Sequence, residues 1–257
     1  MDSTDIAVIV TTHNYAHYLS ACLQSVKSQT LSPKEILVVD DASEDDTADV
    51  VRGFPGANYA RVVFRNGNKA RNFGFSNVDA ERVVFFDADN EMEPDFLETL
   101  NRTLDYDCSA GFAYSDRINF GEGDVSWYPE PMGLWKSRVF DALLIREHNY
   151  IDLASMMRAS IFPGFDETLS RYQDWDLWLN IVIRCGGRGH YVPKPLYRYR
   201  VHSGSVSSRE DRNRAVWHIR RKYRLGSYFS LPWVRDSFVL YNGLQRVKSG
   251  VSGLFSH

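Results

Sequence analysis

Two aspartates separated by one residue, Asp87 and Asp89, follow directly on the apolar run Val83-Val84-Phe85-Phe86. A short unbroken apolar run reads as a strand buried on both faces, so both carboxylates stand at the carboxyl end of a buried strand. An unpaired charge is costly there. A divalent cation, and through it a phosphate, suits such a pair. The pattern has a precedent upstream: Asp40 and Asp41 close the run Glu35-Ile36-Leu37-Val38-Val39, and Thr11 and Thr12 close Ile6-Ala7-Val8-Ile9-Val10. In a parallel sheet these strand ends converge on one edge, where open α/β sheets bind their ligands. Four carboxylates on one edge repel each other unless they divide the work. Some then accept N–H and O–H donors from a ligand, and others hold a cation. A nucleotide diphosphate with magnesium or manganese meets both needs, its base and ribose donating to Asp40 or Asp41 and its metal bridging Asp89 and the phosphates. Either aspartate pair alone would serve equally well as a helix or turn cap; two pairs at successive strand ends favour a ligand.

The elements that must position these groups alternate along the chain. The first run is a strand, and Leu19, Cys22, Leu23 and Val26 then recur at helical spacing in a helix ending near Gln29. The second strand, at 35–39, ends at Asp40-Asp41, and Asp45-Asp46-Thr47 opens a further helix, with carboxylates at the positive end of its dipole. A third strand is read at Val62-Val63-Phe64, then a helix around Lys69–Ser76, then the strand ending at Asp87. Phe96, Leu97, Leu100 and Leu104 continue a helix after Pro94. Further strands are read at Ala110–Tyr114, Asp152–Met157 and Leu196–Val201, and a helix from Asp174 to about Cys185, stopped by Gly186-Gly187. Residues 115–150 are irregular. The alternation implies a mostly parallel sheet flanked by helices.

Composition sets wider bounds. A chain of 257 residues with 44% hydrophobic and 25% charged content is an ordinary globular protein of one large domain, or a domain with an appendage. A net charge of −3 gives no signal for nucleic acid. Cys22, Cys108 and Cys185 form neither a disulfide framework nor a metal-ligand spacing. The acidic start Met1-Asp2-Ser3-Thr4-Asp5 lacks a secretory pattern, and no apolar run is long enough to span a membrane, so a cytoplasmic protein is expected.

Six stretches in order resemble the family 2 glycosyltransferases of the GT-A fold. They are Val8-Ile9-Val10-Thr11-Thr12-His13-Asn14; Asp40-Asp41-Ala42-Ser43 with Asp45-Asp46-Thr47; Asn66-Gly67 with Ala70-Arg71-Asn72-Phe73-Gly74; Asp87-Ala88-Asp89; Gly164-Phe165-Asp166-Glu167 with Gln173-Asp174-Trp175-Asp176-Leu177-Trp178; and Tyr199-Arg200-Val201-His202-Ser203-Gly204-Ser205. The resemblance implies an inverting, metal-dependent transfer of a sugar from a nucleotide-diphosphate sugar to a hydroxyl of a glycan, lipid-linked or small-molecule acceptor, with Mn2+ or Mg2+ as cofactor. It makes Asp174 the general base, with Asp176 ranked second. Asp89 becomes the main metal ligand, His202 a second ligand or a diphosphate contact, and Asp87 a contact to the ribose or the metal's surroundings. Asp41 hydrogen-bonds the base, with Thr11 beside it, and Arg71 pairs with these carboxylates or touches phosphate. At the start of a helix the dipole keeps Asp174 ionised, while Trp175 desolvates it and raises its basicity. Two positions depart from the family pattern: Gln173 stands where glutamate is common, and Asn90 where a further aspartate is common.

Residues 1–207 form the transferase domain, divided at 105/106 into a nucleotide-binding half and an acceptor half, and 208–257 form a basic helical tail. Between Arg209 and Arg224 seven basic residues face two acidic ones, with Val216, Ile219 and Tyr223 on one face, and Val234, Phe238 and Tyr241 repeat that spacing. Such a tail is either a solvated helix face or a peripheral contact to the inner face of the membrane. His13 reads as a turn residue outside the site, and Trp175 and Trp178 as core. Trp127, Tyr128 and Trp135 read as sugar platforms or loop packing. Three rivals remain. A phosphohydrolase leaves Asp40-Asp41 unexplained. A nucleotidyltransferase needs a glycine-rich basic loop that Thr11–Tyr18 lacks. A non-catalytic nucleotide-sugar binding module leaves Asp174 without a task.

Overall fold

The computed structural model describes residues 5–122, 130, 132–205 and 212–226. Its first compact unit, Met1–Arg212, is built on one sheet of nine strands among the described residues. They are β1 (Ile6–Thr12), β2 (Glu35–Asp41), β3 (Ala57–Val62), β4 (Arg82–Asp87), β5 (Glu91–Met92), β6 (Phe112–Gly121), β7 (Gly133–Trp135), β8 (Met156–Arg158) and β9 (Gly189–Val201). Their spatial order is β3-β2-β1-β4-β8-β6-β9-β5, with β7 on β6. The long ladders are parallel: β1 with β2 and with β4, β2 with β3, and β6 with β9. The antiparallel joints, β4 with β8, β6 with β7 and β8, and β5 with β9, are short. The result is a mixed sheet with two parallel blocks joined through β8.

The helices are α1 (Ala16–Lys27), α2 (Thr47–Arg52), α3 (Gly67–Ser76), α4 (Phe96–Tyr106), α5 (Leu144–Glu147), α6 (Gln173–Arg184) and α7 (Arg212–Lys222). α1 buries Leu19, Cys22, Leu23 and Val26, and α4 buries Phe96, Leu97, Leu100 and Leu104, the residues whose spacing marks each helix in the sequence. α3 lacks such a stripe and lies close on the sheet instead: a Cβ on Gly74 would come within 2.5 Å of Ile9 Cγ2 and 3.2 Å of Val39 Cγ2. Trp178 stacks on Phe112 with ring centroids 4.6 Å apart, and its indole N–H donates to Ile151 O. Trp175 donates to Ile145 O. Both tryptophans are core.

Four boundaries differ from the sequence reading, among them the strand read at Asp152–Met157, which is Met156–Arg158. The third strand is Ala57–Val62, and Val63 and Phe64, which looked like its centre, are exposed in the loop beyond. They lie beyond the last paired residue, with Phe64 edge-on to Phe73 at 6.1 Å between ring centroids, and were misread because strand propensity does not reveal where pairing ends. β6 runs to Gly121, well into the stretch read as irregular. β9 begins at Gly189 and passes through Pro193 and Pro195, where the ladder with β6 slips register around Asp116. A proline cannot donate to a ladder, so a slip at these positions lets the strand continue.

The second unit is Asn213–His257. Its described part, residues 213–226, holds all of α7 after Arg212, and Val216, Ile219 and Tyr223 are buried and Trp217 exposed. The second tail helix, with Val234, Phe238 and Tyr241, lies outside the described residues, as do Trp127 and Tyr128. No helix among the described residues is long and apolar enough to cross a membrane.

Candidate active site

The register of the parallel ladders sets Thr11 opposite Val39 on one side and opposite Asp87 on the other. Over this edge lies a cleft of about 950 Å³, and Thr11, Asp41, Arg71, Asp87, Asp89 and His202 all line it.

The two aspartates that end β2 part company, because successive strand residues face opposite sides. Asp40 is fully buried and bonded within the fold: Ser43 N and Tyr59 Oη donate to its carboxylate, and Arg61 pairs with it at 3.1 Å. The expectation that a base or ribose donates to Asp40 is corrected on this ground. Asp41 faces the cleft. Its carboxylate accepts three backbone N–H groups, from Phe64 and Arg65 on one oxygen and Asn66 on the other, at 2.6–2.7 Å. It therefore builds the loop that enters α3. His13 Nδ1 lies 2.6 Å from Asp41 O, which fixes the imidazole in the same wall.

Asp87 accepts from Arg71 Nη2 at 2.7 Å; the arginine is buried while the carboxylate stays partly open to the cleft. Asp89 is more enclosed, and burial, with Asp87 near by, raises its pKa. Its Oδ2 lies 3.1 Å from His202 Nε2. Arg200 holds the backbone of this segment: its Nε donates to Asp89 O, its N to Asn90 Oδ1 and its Nη2 to Glu91 Oε1. Asn90, buried, thereby tethers the end of β4 to β9 through its Oδ1, an acceptor that an aspartate would also supply. Beneath lies Cys22, whose thiol is pushed up by burial and by the carboxylates of Asp89, Asp87 and Glu91.

No group of three or more His, Cys, Asp or Glu side chains among the described residues is arranged to hold a metal. The pair Asp89 and His202 nevertheless fits one. A separation of 3.1 Å matches the edge of an octahedron with ligand distances of about 2.1 Å, and hard cations in phosphate sites use one or two protein ligands, the rest coming from phosphate and water.

Asp174 sits in the first turn of α6. Asn149 Nδ2 donates to its Oδ2 at 2.7 Å, and Trp175 N to its Oδ1 at 2.8 Å. Burial, and then the charge of Asp152, raise its pKa to about 6. Asp152 is itself paired with Arg117, whose guanidinium lies 4.2 Å from the Trp135 ring and 4.6 Å from that of Tyr199. Trp135 is thus bound to an arginine. Asp174 is not among the described residues lining the cleft; its neighbour Gln173 is, as is Tyr199. Asp176 is buried on the other side of the helix. Immediately before α6, Tyr172 adopts a left-handed backbone with φ 59°, a conformation a bulky residue takes only where its surroundings impose it.

His13, read as a turn residue outside the site, lines the cleft, and Tyr15, His17 and Tyr18 from the start of α1, with Glu122 across from them, escaped the sequence reading. Tyr15 and Tyr18 pack on the His202 ring with centroids 5.5 and 5.2 Å apart. Their position directly after a strand that ends at the cleft edge was the available signal.

The sequence pattern described as Glycosyl transferase family 2 matches residues 7–164. The Streptococcus pneumoniae protein "Glycosyltransferase GlyA" is 29% identical over 219 residues, which is 79% of this chain and 31% of that protein. The Bacillus subtilis protein "Putative glycosyltransferase EpsH" is 25% identical over 226 residues, 81% of this chain and 64% of that one. The chain spans less than two thirds of the length of either relative. Staphylococcus aureus TarS 1-349, solved in complex with UDP-GlcNAc, superposes with a TM-score of 0.67 at 20% identity, over 86% of this chain and 65% of that chain. Mannosyltransferase PcManGT from Pyrobaculum calidifontis, in complex with GDP-Man and Mn2+, gives 0.57 at 20% identity, over 79% and 59%. These likenesses establish the fold.

Proposed function

The chain belongs to glycosyl transferase family 2, and on that premise we propose that it moves a sugar from a nucleotide-diphosphate sugar to a hydroxyl of a glycan, lipid-linked or small-molecule acceptor, with inversion at the anomeric carbon. The observation that carries this reading is the pairing of two carboxylate sites with different tasks. Asp87 and Asp89 stand in the cleft with Arg71 and His202, and Asp174 stands beside it with a pKa raised to about 6.

Inverting transfer needs a base on the acceptor hydroxyl and stabilisation of the departing diphosphate. Asp174, ionised at neutral pH yet more basic than an ordinary carboxylate, takes the hydroxyl proton, and Asn149 keeps its carboxylate aimed. Arg71 holds Asp87 and adds positive charge on the phosphate side. Asp89 and His202 would hold Mn2+ or Mg2+, which when bound supplies charge neutralisation to the diphosphate. Asp41, Thr11 and His13 form the wall for base and ribose. The solved neighbours were crystallised with UDP-GlcNAc and with GDP-Man and Mn2+, so uridine and guanosine donors are the first to screen. Asp174→Asn is expected to abolish transfer and to leave nucleotide–manganese binding intact; full transfer in that variant would remove Asp174 from the mechanism. Asp89→Ala is expected to remove the manganese-dependent part of nucleotide binding in calorimetry.

The basic tail is the proposed peripheral contact to the inner face of the membrane, resting on its charge and helical spacing. Co-sedimentation with anionic vesicles should fall on deletion of residues 209–257.

A further inference from the structure

Three asparagines at and within the start of α3 reach across to one loop. Asn66 Nδ2 donates to Glu167 O at 2.9 Å. Asn68 Nδ2 donates to Asp166 O at 2.7 Å and to Leu169 O at 2.9 Å. Asn72 Nδ2 donates to Phe165 O at 3.0 Å and to Glu167 Oε1 at 3.1 Å, while its Oδ1 accepts from Phe165 N at 2.8 Å. The carboxamide of Asn72 thus meets both backbone groups of Phe165, as a neighbouring strand would. Asn68 is buried, so its loss leaves loop carbonyls without donors, which is costly. Three residues beyond Leu169 the chain turns left-handed at Tyr172, and α6 opens with Gln173 and Asp174. That joint is fixed from two sides: by Asn149 on Asp174, and by the asparagines on the loop that leads into it. Helix α3 is itself seated by the donor side of the cleft. Asp41 holds the backbone of residues 64–66 that lead into it, and its Arg71 is bound to Asp87.

We propose that Asn68 and Asn72 are positioning residues for the transfer reaction: through them α3, seated by the donor-side carboxylates Asp41 and Asp87, fixes the loop from which α6 presents Asp174. The inference rests on the reading of Asp174 as base. It gives a task to the carboxamides that α3 and its N-cap direct at residues 165–169.

The test uses the full chain and the variants Asn68→Ala, Asn72→Ala and Asp174→Asn. Calorimetry with UDP and GDP in the presence of Mn2+ reads the donor side, nucleotide release from a panel of nucleotide sugars reads turnover, and carbon-13 NMR of labelled aspartate reads the Asp174 titration, assigned from the Asp174→Asn spectrum. Asn72→Ala is expected to bind nucleotide within about twofold of the parent while turnover falls about tenfold to a hundredfold, the effect of a small misplacement of a reacting group; Asn68→Ala, which also removes the acceptor for Arg71 Nη1, is expected to lose turnover well beyond any loss of nucleotide affinity. The Asp174 midpoint is expected to move down from about 6 as the side chain gains access to water. Unchanged titration and turnover in folded variants overturns the proposal, and so does a loss of turnover matched by an equal loss of nucleotide affinity, which confines α3 to the donor side. If Asp174→Asn keeps full turnover, the base assignment fails, and the titration shift alone then decides whether the asparagines place Asp174. Should an alanine variant not fold, Asn72→Asp carries the same readouts, since it keeps the acceptor for Phe165 N and removes both donors.

Discussion

At the residue scale, Asp174 is stable in the fold as a neutral acid and, as the proposed base, acts as an anion. Burial and Asp152 raise its pKa to about 6, above the value of about 3.9 in an unfolded chain. Its contribution to stability is therefore fully present below about pH 4 and is lost as pH rises through 6; two pKa units correspond to about 3 kcal/mol. Asp174→Asn should accordingly raise the melting temperature at pH 8, with the gain fading toward pH 4, as followed by circular dichroism. The parent's kcat/KM should fall below about pH 6, as its base protonates. Asp152→Asn should move that acid limb to lower pH, since a like charge is removed from beside the base; an unmoved limb would show that the charge of Asp152 is not felt at the reacting group. Asp87 and Asp89 stood out in the sequence because carboxylates directly after an apolar run are conspicuous, whereas Asp174 was singled out by the family resemblance. The choice between Asp40 and Asp41 was not legible there, since adjacent strand residues differ only in which face they take, and the face depends on neighbours brought in by folding. Nor could the sequence reveal the three amide donors on Asp41, which come from a loop some twenty residues on.

At the element scale, α1, α4 and α6 could be read from their apolar spacing, and each packs that face. α3 could not be read this way, because a glycine and polar side chains do the seating. Gly74 lies against Ile9 and Val39 so closely that any Cβ would meet a methyl group at 2.5 Å. Gly74→Ala should lift α3 from the sheet and cost about 1–3 kcal/mol, lowering the melting temperature by about 2–4 °C per kcal/mol for a domain of this size. The same lift should weaken nucleotide binding, since Arg71 rides on the helix. The end of β3 was misplaced because the exposed hydrophobic pair Val63-Phe64 follows it outside the ladder, and β9 was begun too late because its two prolines argue against a strand until the register slip beside Asp116 is seen.

At the scale of the whole molecule, the cleft gathers residues from Thr11 to Ser205, so ligand binding should stabilise the transferase unit as a unit. A matching nucleotide diphosphate with Mn2+ at a hundred times its dissociation constant adds about 2.7 kcal/mol. The thermal shift should fall when the metal is chelated, and the manganese-dependent part should be missing in Asp89→Ala. The fold class was legible because strand–helix alternation fixes a parallel layout; the antiparallel joints were not, because they are two or three residues long and pair segments far apart. Those joints also set an order of events on the ribosome. β1 to β4 emerge early and their parallel partners are all local, so Arg71 can reach Asp87 while the rest of the chain is unmade. β4 gains its other neighbour only with Met156–Arg158, and β5 only with Tyr197 and Arg198. Asp89 receives His202 and the grip of Arg200 last of all. Nascent chains stalled with residue 150 just emerged should already protect their first strands from protease yet bind no nucleotide–manganese, whereas chains with residue 207 emerged should bind it. Synthesis from the N-terminus thus builds the floor of the cleft first and withholds the Asp89–His202 corner until translation of the domain is complete.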